Sequence, residues 1–278
     1  MSKATNFKLN YKKDPEDERD FLFKSEVEVD RVVSLAPAMV DHTPYMTSIK
    51  DQGNLGSCVG FAVTALKEWQ ETRENILEIS QGKKDYRKGK EYNLSEAWTY
   101  WMSKKIDPWP NEEGTSIRFA MKVLNKIGVP CEEGWEYNDA MKGEPKSWAN
   151  LVARWSLIDS YWRVDGLSGL KAALLSGPVA IGIPCFDSIF YVDKTGLIEY
   201  PHDPNQIYGG HALCAVGYDD QKFGGVIKIK NSWGSSWGAR GYGFIPYDYI
   251  SDFLWDAWAC KDLSVTKDML EGTRTLIG

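Results

Sequence analysis

The residue best suited to covalent chemistry in this sequence is a cysteine at the junction of a glycine-rich loop and a predicted helix. The loop covers residues 51–57, Asp-Gln-Gly-Asn-Leu-Gly-Ser, and Cys58 follows it in the first predicted helical turn. Unpaired N–H groups give a helix N-terminus partial positive charge, which lowers the pKa of a thiol placed there. Cys58 is therefore a candidate nucleophile. A buried structural cysteine before a core helix is the alternative that this segment alone leaves open.

A histidine and an asparagine could complete a reactive site around that thiol. His211 stands between Gly209-Gly210 and an apolar run, and Asn231 follows a run that alternates as half-buried strands do. An imidazole can exchange a proton with the thiol, and a carboxamide oxygen can orient the ring by accepting its N–H. Trp233 could cover that hydrogen bond and exclude water. Each segment alone also fits a core histidine or an aromatic turn, but the three in this order indicate nucleophilic catalysis.

The overall composition is that of a globular protein, and it argues against several other functions. The chain has 278 residues, of which 43% are hydrophobic and 26% are charged, so it can bury a sizeable core. Its formal net charge is −6, whereas a nucleic-acid binder normally has a basic excess. No apolar stretch approaches the ~20 residues that a membrane span needs, and residues 1–6 lack the apolar core of a secretory signal. We therefore expect no nucleic-acid or membrane partner and a cytoplasmic location.

The remaining cysteines and histidines show no metal-binding or disulfide pattern. The five cysteines are odd in number and widely spaced, without a C-x-x-C pair or a His/Cys cluster. This spacing predicts free thiols in a reducing compartment and no metal site. The sequence also lacks a phosphate-binding glycine motif, so no cofactor is implied. His42 and His202 lie in proline-containing polar contexts, and we expect both to be exposed.

The predicted secondary structure that must position the candidate residues changes along the chain from helices to strands. Apolar residues at helical spacing predict four helices, over 57–79 with Ser57 as N-cap, 94–104, 116–127 and 167–175. Short apolar runs between turn residues predict four strands, over 179–183, 212–218, 225–230 and 241–245. A helical front half and an antiparallel β back half indicate an α+β fold with two lobes.

The same change in character divides the chain into four parts. These are an N-terminal extension at 1–41, a mainly helical lobe with the nucleophile at 42–150, a mainly antiparallel β lobe at 151–262, and a C-terminal tail at 263–278. The extension is strongly charged before a short aromatic run at 21–23. It fits either an exposed, partly ordered segment or an arm that packs its aromatic end onto the main domain over a cleft.

Taken together, these segments resemble the papain-like cysteine peptidases. The resemblance rests on Gln52-Gly53-x-x-Gly56-Ser57-Cys58-x-x-Phe61-Ala62, on Gly210-His211-Ala212, and on Lys230-Asn231-Ser232-Trp233-Gly234. It spans roughly residues 40–260 and indicates a short-extension, disulfide-poor member of microbial or viral type. The family implies a two-lobed fold, in which a helical lobe and an antiparallel, β-barrel-like lobe enclose the active-site cleft.

The resemblance implies a role for each candidate residue. Cys58 would be the nucleophile, held as a thiolate by the helix end and by the His211 imidazolium, and it would form an acyl-thioester intermediate. Asn231 would orient His211, and Trp233 would shield the contact between them. Gln52, six positions before Cys58, would hold the developing oxyanion together with the backbone N–H of Cys58.

The resemblance also implies a peptide or protein substrate and neither a metal nor an organic cofactor. Gly114 resembles the glycine of the cleft wall that pairs with the substrate backbone, and Gly210 would allow close backbone approach beside the histidine. The extension at 1–41 is shorter than the helical pro-segment of secreted members, and we expect it to lie near the cleft and limit access. Peptide-bond hydrolysis is the leading function. One alternative is exopeptidase, amidase or acyl-transferase activity at the same Cys-His-Asn site. Another is a catalytically silent peptide-binding module.

Overall fold

The computed structural model describes residues 7–24, 26–83, 91–138 and 143–263. The predicted C-terminal tail, 263–278, lies outside these ranges except for its first residue. The described α-helices are α1 (Glu26–Ser34), α2 (Cys58–Ser80), α3 (Glu96–Lys104), α4 (Ile117–Lys126), α5 (Ala149–Ala153), α6 (Gly166–Leu174) and α7 (Tyr247–Phe253). The described strands are β1 (Met39–Asp41), β2 (Ile158–Arg163), β3 (Val179–Cys185), β4 (Gly209–Asp219), β5 (Val226–Lys230), β6 (Tyr242–Pro246) and β7 (Asp256–Asp262).

The longest of these helices, α2, forms the centre of the helical lobe because its first half is buried on every side. Residues 58–69 are all buried, and the helix packs against α3, α4 and β4. At Gly60 a Cβ atom would lie 2.9 Å from the carbonyl oxygen of Glu96 in α3, so glycine lets the two helices approach closely. This packing holds the N-terminus of α2, and with it Cys58, against the sheet.

The strands form one antiparallel sheet in the order β2-β7-β3-β4-β5-β6, and β1 pairs with the C-terminal end of β4. His211 in β4 lies opposite Ile183 in β3, and Cys214 in β4 lies opposite Lys230 in β5. β3 is buried along its whole length, as expected for a strand covered on both faces. The structure confirms the predicted two-lobed α+β fold.

Local predictions agree best with the structure where an apolar pattern is strong. The four predicted helices correspond to α2, α3, α4 and α6, and the four predicted strands correspond to β3, β4, β5 and β6. Strands β2 and β7 have no predicted counterpart. β7, with the sequence Asp-Ala-Trp-Ala-Cys-Lys-Asp, is charged at both ends, and in β2 only Ile158 is fully buried. Ser57 is the N-cap residue of α2, but its side chain makes no capping bond, and its hydroxyl lies 2.7 Å from Tyr137 Oη instead.

His42 is buried, so the prediction that it is exposed is wrong. Its Nε2 lies 2.7 Å from the carbonyl oxygen of Leu174, and its ring packs edge-on against Trp69 with the centroids 4.8 Å apart. These partners belong to α6 and α2, which are distant in sequence, so the polar neighbours of His42 gave no sign of them. His202 is exposed, as predicted.

Residues 7–24, called here the N-terminal arm, are bound to both lobes. Asn10 forms an isolated parallel bridge with Gly210 at the start of β4. Further along, Asp20 forms an ion pair with the buried guanidinium of Arg118 in α4, with 2.5 Å between Oδ2 and Nη2. The arm therefore crosses the molecule from the sheet to the helical lobe.

A buried lysine shapes the loop that carries Gly114. Lys104 Nζ donates hydrogen bonds to Asp107 Oδ2 at 2.9 Å, to the carbonyl oxygen of Trp109 at 2.6 Å and to that of Gly114 at 2.9 Å. The side chain of Asp107 has no exposed surface. One ammonium group thus neutralises a buried carboxylate and fixes two backbone carbonyls of this loop.

Replacing Lys104 with alanine should lower the free energy of unfolding by about 3–5 kcal/mol, because it leaves the Asp107 carboxylate buried without its cation. Lys105→Ala is the matched control, since Lys105 is exposed at the next position, and it should change the same quantity by about 0.5 kcal/mol or less. Urea denaturation of both variants measures the difference. Equal effects would contradict this arrangement of the loop.

Candidate active site

The candidate site lies where the N-terminus of α2 meets the first residues of β4 and the end of β5. Cys58 begins α2, His211 is the third residue of β4, and Asn231 directly follows β5. Because Cys214 is opposite Lys230 in the antiparallel pair, the start of β4 and the residue after β5 lie at the same edge. Since α2 also packs against β4 and the Cys58 thiol interacts with the backbone N–H of Ala212, three segments that are far apart in sequence come together here.

A buried hydrogen bond joins the histidine and the asparagine. His211 Nε2 lies 2.8 Å from Asn231 Oδ1, and the same oxygen accepts the backbone N–H of Ser232 at 2.8 Å. Since an amide oxygen can only accept, Nε2 carries the proton and Nδ1 holds a lone pair. Nδ1 has no hydrogen-bond partner in the described part of the chain, so it is the ring nitrogen available for proton exchange.

Trp233 lies flat against the imidazole. Its ring centroid is 4.5 Å from that of His211, with 25° between the planes, and Trp237 packs perpendicular to it at 5.8 Å. Trp233 is only 3% exposed. The stack removes water from one face of the imidazole, and a hydrogen bond to Asn231 in such a dry environment is strengthened.

Gln52 is held rigidly beside this group. Its Nε2 donates to the carbonyl oxygen of Leu55 at 2.9 Å, and its Oε1 accepts the hydroxyl of Ser232 at 2.7 Å. Nε2 carries two hydrogens, so one N–H remains to donate after the bond to Leu55 is made. Ser232, which fixes this amide, was not among the predicted site residues, although it directly follows Asn231 in the motif.

The thiol of Cys58 and the imidazole of His211 are fully buried in this form, and burial keeps both of them neutral. It raises the pKa of the Cys58 thiol to about 11, although nearby backbone N–H groups, among them that of Ala212, favour the thiolate. It also lowers the pKa of His211 to about 4, against the effect of the hydrogen bond that the imidazole N–H donates to Asn231. The thiolate–imidazolium pair that the resemblance implies therefore requires a more hydrated cleft than this one.

The N-terminal arm is what covers the cleft, and it forms backbone hydrogen bonds to both walls. The N–H of Tyr11 donates to the carbonyl oxygen of Gly210 at 3.0 Å, and the N–H of Lys12 donates to that of Thr115 at 3.0 Å. Gly210 directly precedes His211. Extended backbone held by such pairs is how a peptide adds to an exposed strand edge.

Both glycines predicted to bind substrate contact this arm. Gly114 has φ of +83°, and a Cβ atom there would lie 1.7 Å from the carbonyl oxygen of Asn10, so another residue at this position would displace the arm. At the other end, the ring of Phe7 stacks on Trp233 with the centroids 4.0 Å apart and 8° between the planes. The arm therefore occupies the cleft from the glycine wall to the tryptophan that covers His211.

Other predicted features concern disulfides, metals and membranes. None of the five cysteines, all of which lie in the described ranges, forms a disulfide. Within those ranges, no group of three or more His, Cys, Asp or Glu side chains is arranged to hold a metal ion. No described helix has both the length and the apolar character needed to cross a membrane.

The papain class of cysteine peptidase is defined by three features that this structure has. They are a cysteine at a helix start, a histidine oriented by an asparagine, and a cleft between a helical and a β lobe. A family model described as papain family cysteine protease matches residues 36–250, and the chain belongs to this family. It is accordingly a hydrolase of peptide bonds, and its family acts on peptide and protein substrates.

Relatives with sequence and structural similarity come from viruses, bacteria and animals. An uncharacterized peptidase C1-like protein, L477, of Acanthamoeba polyphaga mimivirus is 30% identical over 237 residues, covering 80% of this chain and 72% of that protein. Xylellain, a cysteine protease from Xylella fastidiosa, has a crystal structure that matches with a TM-score of 0.78 and 28% identity, covering 95% of this chain and 99% of that one. A cathepsin L-like proteinase of Fasciola hepatica is 29% identical over 204 residues, covering 71% of this chain and 56% of that proteinase.

Loosening the arm should raise the pKa of His211. In the full chain with Phe7→Ala and Tyr11→Ala, called here the arm-loosened variant, water reaches the imidazole. Its pKa should therefore rise from about 4 toward the ordinary value of 6.5. NMR titration of the imidazole ring protons measures this, and the chain has three histidines to assign.

The control for this titration changes exposed residues of the same arm. Glu16→Ala with Glu18→Ala removes two exposed side chains and should leave the pKa of His211 unchanged. If His211 titrated at the same pH in the arm-loosened variant and in this control, burial by the arm would not be the cause of its low pKa.

Proposed function

We propose that this chain hydrolyses peptide bonds with Cys58 as the nucleophile and His211 as the acid and base. The observation that carries the proposal is the buried pair of His211 and Asn231, which leaves Nδ1 as the open ring nitrogen. Further support comes from the Cys58 thiol, which interacts with the backbone N–H of Ala212, the residue after His211. In the first step Nδ1 takes the thiol proton. Sγ then forms a bond to the carbonyl carbon of the substrate, and the carbonyl π electrons move onto the oxygen.

The negative oxygen formed in this step needs donors that are already in place. The second N–H of Gln52 Nε2 and the backbone N–H of Cys58 are the groups proposed to donate to it. Support comes from the two side-chain hydrogen bonds of Gln52, to Leu55 and from Ser232, which fix the amide before substrate arrives. Donors that need no reorganisation stabilise a developing charge most effectively.

Collapse of the tetrahedral intermediate completes the first half of the reaction. The C–N bond breaks, its electron pair stays on nitrogen, and the imidazolium of His211 gives that nitrogen a proton, so that an amine leaves. The acyl group remains on Cys58 as a thioester. In the second half a water molecule gives a proton to Nδ1 and attacks the thioester carbon, and the C–S bond breaks to release the carboxylic acid and restore the thiol.

In this proposal the arm holds the enzyme in a closed form, and substrate binding requires the arm to leave the cleft. The arm fills the space between the Gly114 and Gly210 walls. The thiol of Cys58 interacts with the backbone N–H of Ala212, one residue from His211. The first step therefore requires the arm to leave and the Cys58 thiol to turn from Ala212 toward Nδ1 of His211.

The cysteines support a reducing compartment such as the cytoplasm as the place of action. Five cysteines without a disulfide are typical of proteins kept in contact with cellular thiol reductants. Since catalysis requires a reduced thiol at Cys58, the same environment preserves the proposed nucleophile.

Substituting the nucleophile should abolish turnover without loss of the fold. Cys58→Ser in the arm-loosened chain should lower kcat for a fluorogenic peptide by about 10³-fold or more, because a serine hydroxyl is a far weaker nucleophile here.

Gln52→Ala should lower kcat by about 10²–10³-fold through loss of one oxyanion donor. Circular dichroism checks the fold of each variant. Full activity of Cys58→Ser would refute the assignment.

Release of the arm should increase reactivity at the thiol. The arm-loosened variant should react with iodoacetamide at Cys58, and should cleave a fluorogenic peptide, at least about tenfold faster than the unaltered chain, since a larger fraction of molecules has an open cleft. Glu16→Ala with Glu18→Ala is the matched control and should behave as the unaltered chain does. Equal labelling rates in all three proteins would argue against a closed form held by the arm.

A further inference from the structure

The hydroxyl of Tyr137 joins the two ends of the loop that precedes Cys58. Tyr137 Oη donates to the backbone carbonyl oxygen of Gln52 at 2.7 Å and lies 2.7 Å from Ser57 Oγ. A phenol has one proton and a carbonyl oxygen can only accept, so this proton points to Gln52, and the Ser57 hydroxyl donates to Oη. One oxygen atom thereby bridges the first and last residues of the segment 52–57.

The aromatic ring of Tyr137 is held in place by the helical lobe. It packs edge-on against Phe61, with 4.7 Å between the ring centroids and 80° between the planes. Phe61 lies three positions after Cys58, so the two side chains share one face of α2. Two residues before Tyr137, the carbonyl oxygen of Trp135 accepts the hydroxyl of Ser95 at 2.6 Å, which ties this segment to the start of α3. The Tyr137 hydroxyl is therefore fixed relative to the helical turn that begins with the nucleophile.

Both proposed oxyanion donors belong to the residues that Tyr137 joins. Gln52 supplies a side-chain N–H, and the peptide unit between Ser57 and Cys58 carries the backbone N–H of Cys58. On the side of the β lobe, the carbonyl oxygen of Ser232 accepts the backbone N–H of Gln52 at 2.8 Å. Tyr137 therefore holds the backbone of Gln52 from the helical lobe, while Ser232 holds it from the β lobe.

We infer that Tyr137 is a positioning residue for the oxyanion, and that its hydroxyl keeps Gln52 Nε2 and the Cys58 N–H at a fixed separation. The inference rests on the proposed peptidase function. Donors stabilise a developing charge best when they are in place before the reaction, and a displacement of about 1 Å can lower a rate by about 10²-fold. Proton transfer by His211 does not involve the Tyr137 hydroxyl, so the two contributions can be measured separately.

Removal of the hydroxyl with retention of the ring tests this positioning. In the arm-loosened variant, Tyr137→Phe should lower kcat for a fluorogenic peptide by about 5–30-fold and change KM by about twofold or less, because it loosens donors that act mainly in the transition state. Tyr247→Phe is the matched control and should leave both constants unchanged. It removes a hydroxyl that donates to Asp220, just beyond the end of β4 that is opposite to His211. Thermal unfolding checks that each variant is folded.

Alkylation of Cys58 separates the oxyanion donors from the other parts of the site. Iodoacetamide forms a bond between Sγ and its CH₂ carbon and releases iodide, so no negative charge develops on a carbonyl oxygen. Its rate depends on the thiol, on His211 and on an open cleft. Tyr137→Phe should therefore be labelled at a rate within about twofold of that of the arm-loosened variant, while peptide cleavage falls. General loosening of the site would lower both rates together.

Combined substitutions show whether Tyr137 acts through Gln52. When Gln52→Ala is already present, adding Tyr137→Phe should lower kcat further by about threefold or less, because the side-chain donor that the hydroxyl positions is gone and residues that act as a unit are not additive. Ser57→Ala removes the donor to Tyr137 Oη and should reproduce part of the loss in kcat.

Hydrogen exchange measures the loop without turnover. The backbone N–H groups of Gln52 and Ser57 donate to the carbonyl oxygens of Ser232 and Leu55. Tyr137→Phe should raise the exchange rates of both N–H groups by about tenfold, because the loop opens more often once the bridge is lost. Tyr247→Phe should leave them unchanged.

Several outcomes would overturn the inference. These are an unchanged kcat in Tyr137→Phe, equal losses of cleavage and alkylation, full additivity with Gln52→Ala, and unchanged exchange in the loop. An arm-loosened variant that is alkylated at Cys58 but cleaves no peptide would instead contradict the proposed function. Faster exchange in Tyr137→Phe would in that case still support the bridge between Gln52 and Ser57.

Discussion

The register of β4 between its two neighbours is the constraint on which the rest of the site depends. Pairing with β5 brings His211 to the edge where Asn231 lies, and pairing with β3 sets Gly182 opposite Ala212. A slip of one residue would turn every side chain of β4 to the other face. The nine central residues of β4 are all buried, so hydrophobic packing on both faces opposes such a slip. Ordinary core packing thereby fixes the position of the imidazole.

Hydration decides the chemical state of the groups that this register brings together. A helix N-terminus favours a nearby negative charge by about 0.3–1 kcal/mol, and in the closed form burial outweighs it, because the pKa of Cys58 is raised to about 11. The same burial lowers the pKa of His211 to about 4. The identity of the residues at the site is therefore insufficient for reactivity, since their charge also depends on what covers them. In this chain that cover is a segment of the same polypeptide.

The sequence predicted features whose causes are local and missed those whose causes are distant. The glycine-rich loop before Cys58 and the strong apolar face of α2 fix the backbone over a few residues, and their prediction agrees with the structure closely. The burial of His42 depends on Trp69 and Leu174, and no short-range pattern reports them. The same holds for Tyr11, whose hydrogen-bond partner Asp256 is 245 positions away. Such contacts follow from strand order, which the sequence of each segment does not specify.

The arm belongs to the same chain as the cleft it fills, and this changes how strongly it competes. A tethered segment acts at an effective concentration in the millimolar range for short flexible linkers, whatever the amount of protein in solution. Contacts that would be too weak for a free peptide of this length therefore suffice to keep the cleft occupied. A single break in the backbone between residue 24 and β1 would turn the tethered competitor into a freely diffusing one. Dilution alone would then keep it away, so one such cut would act as an irreversible trigger.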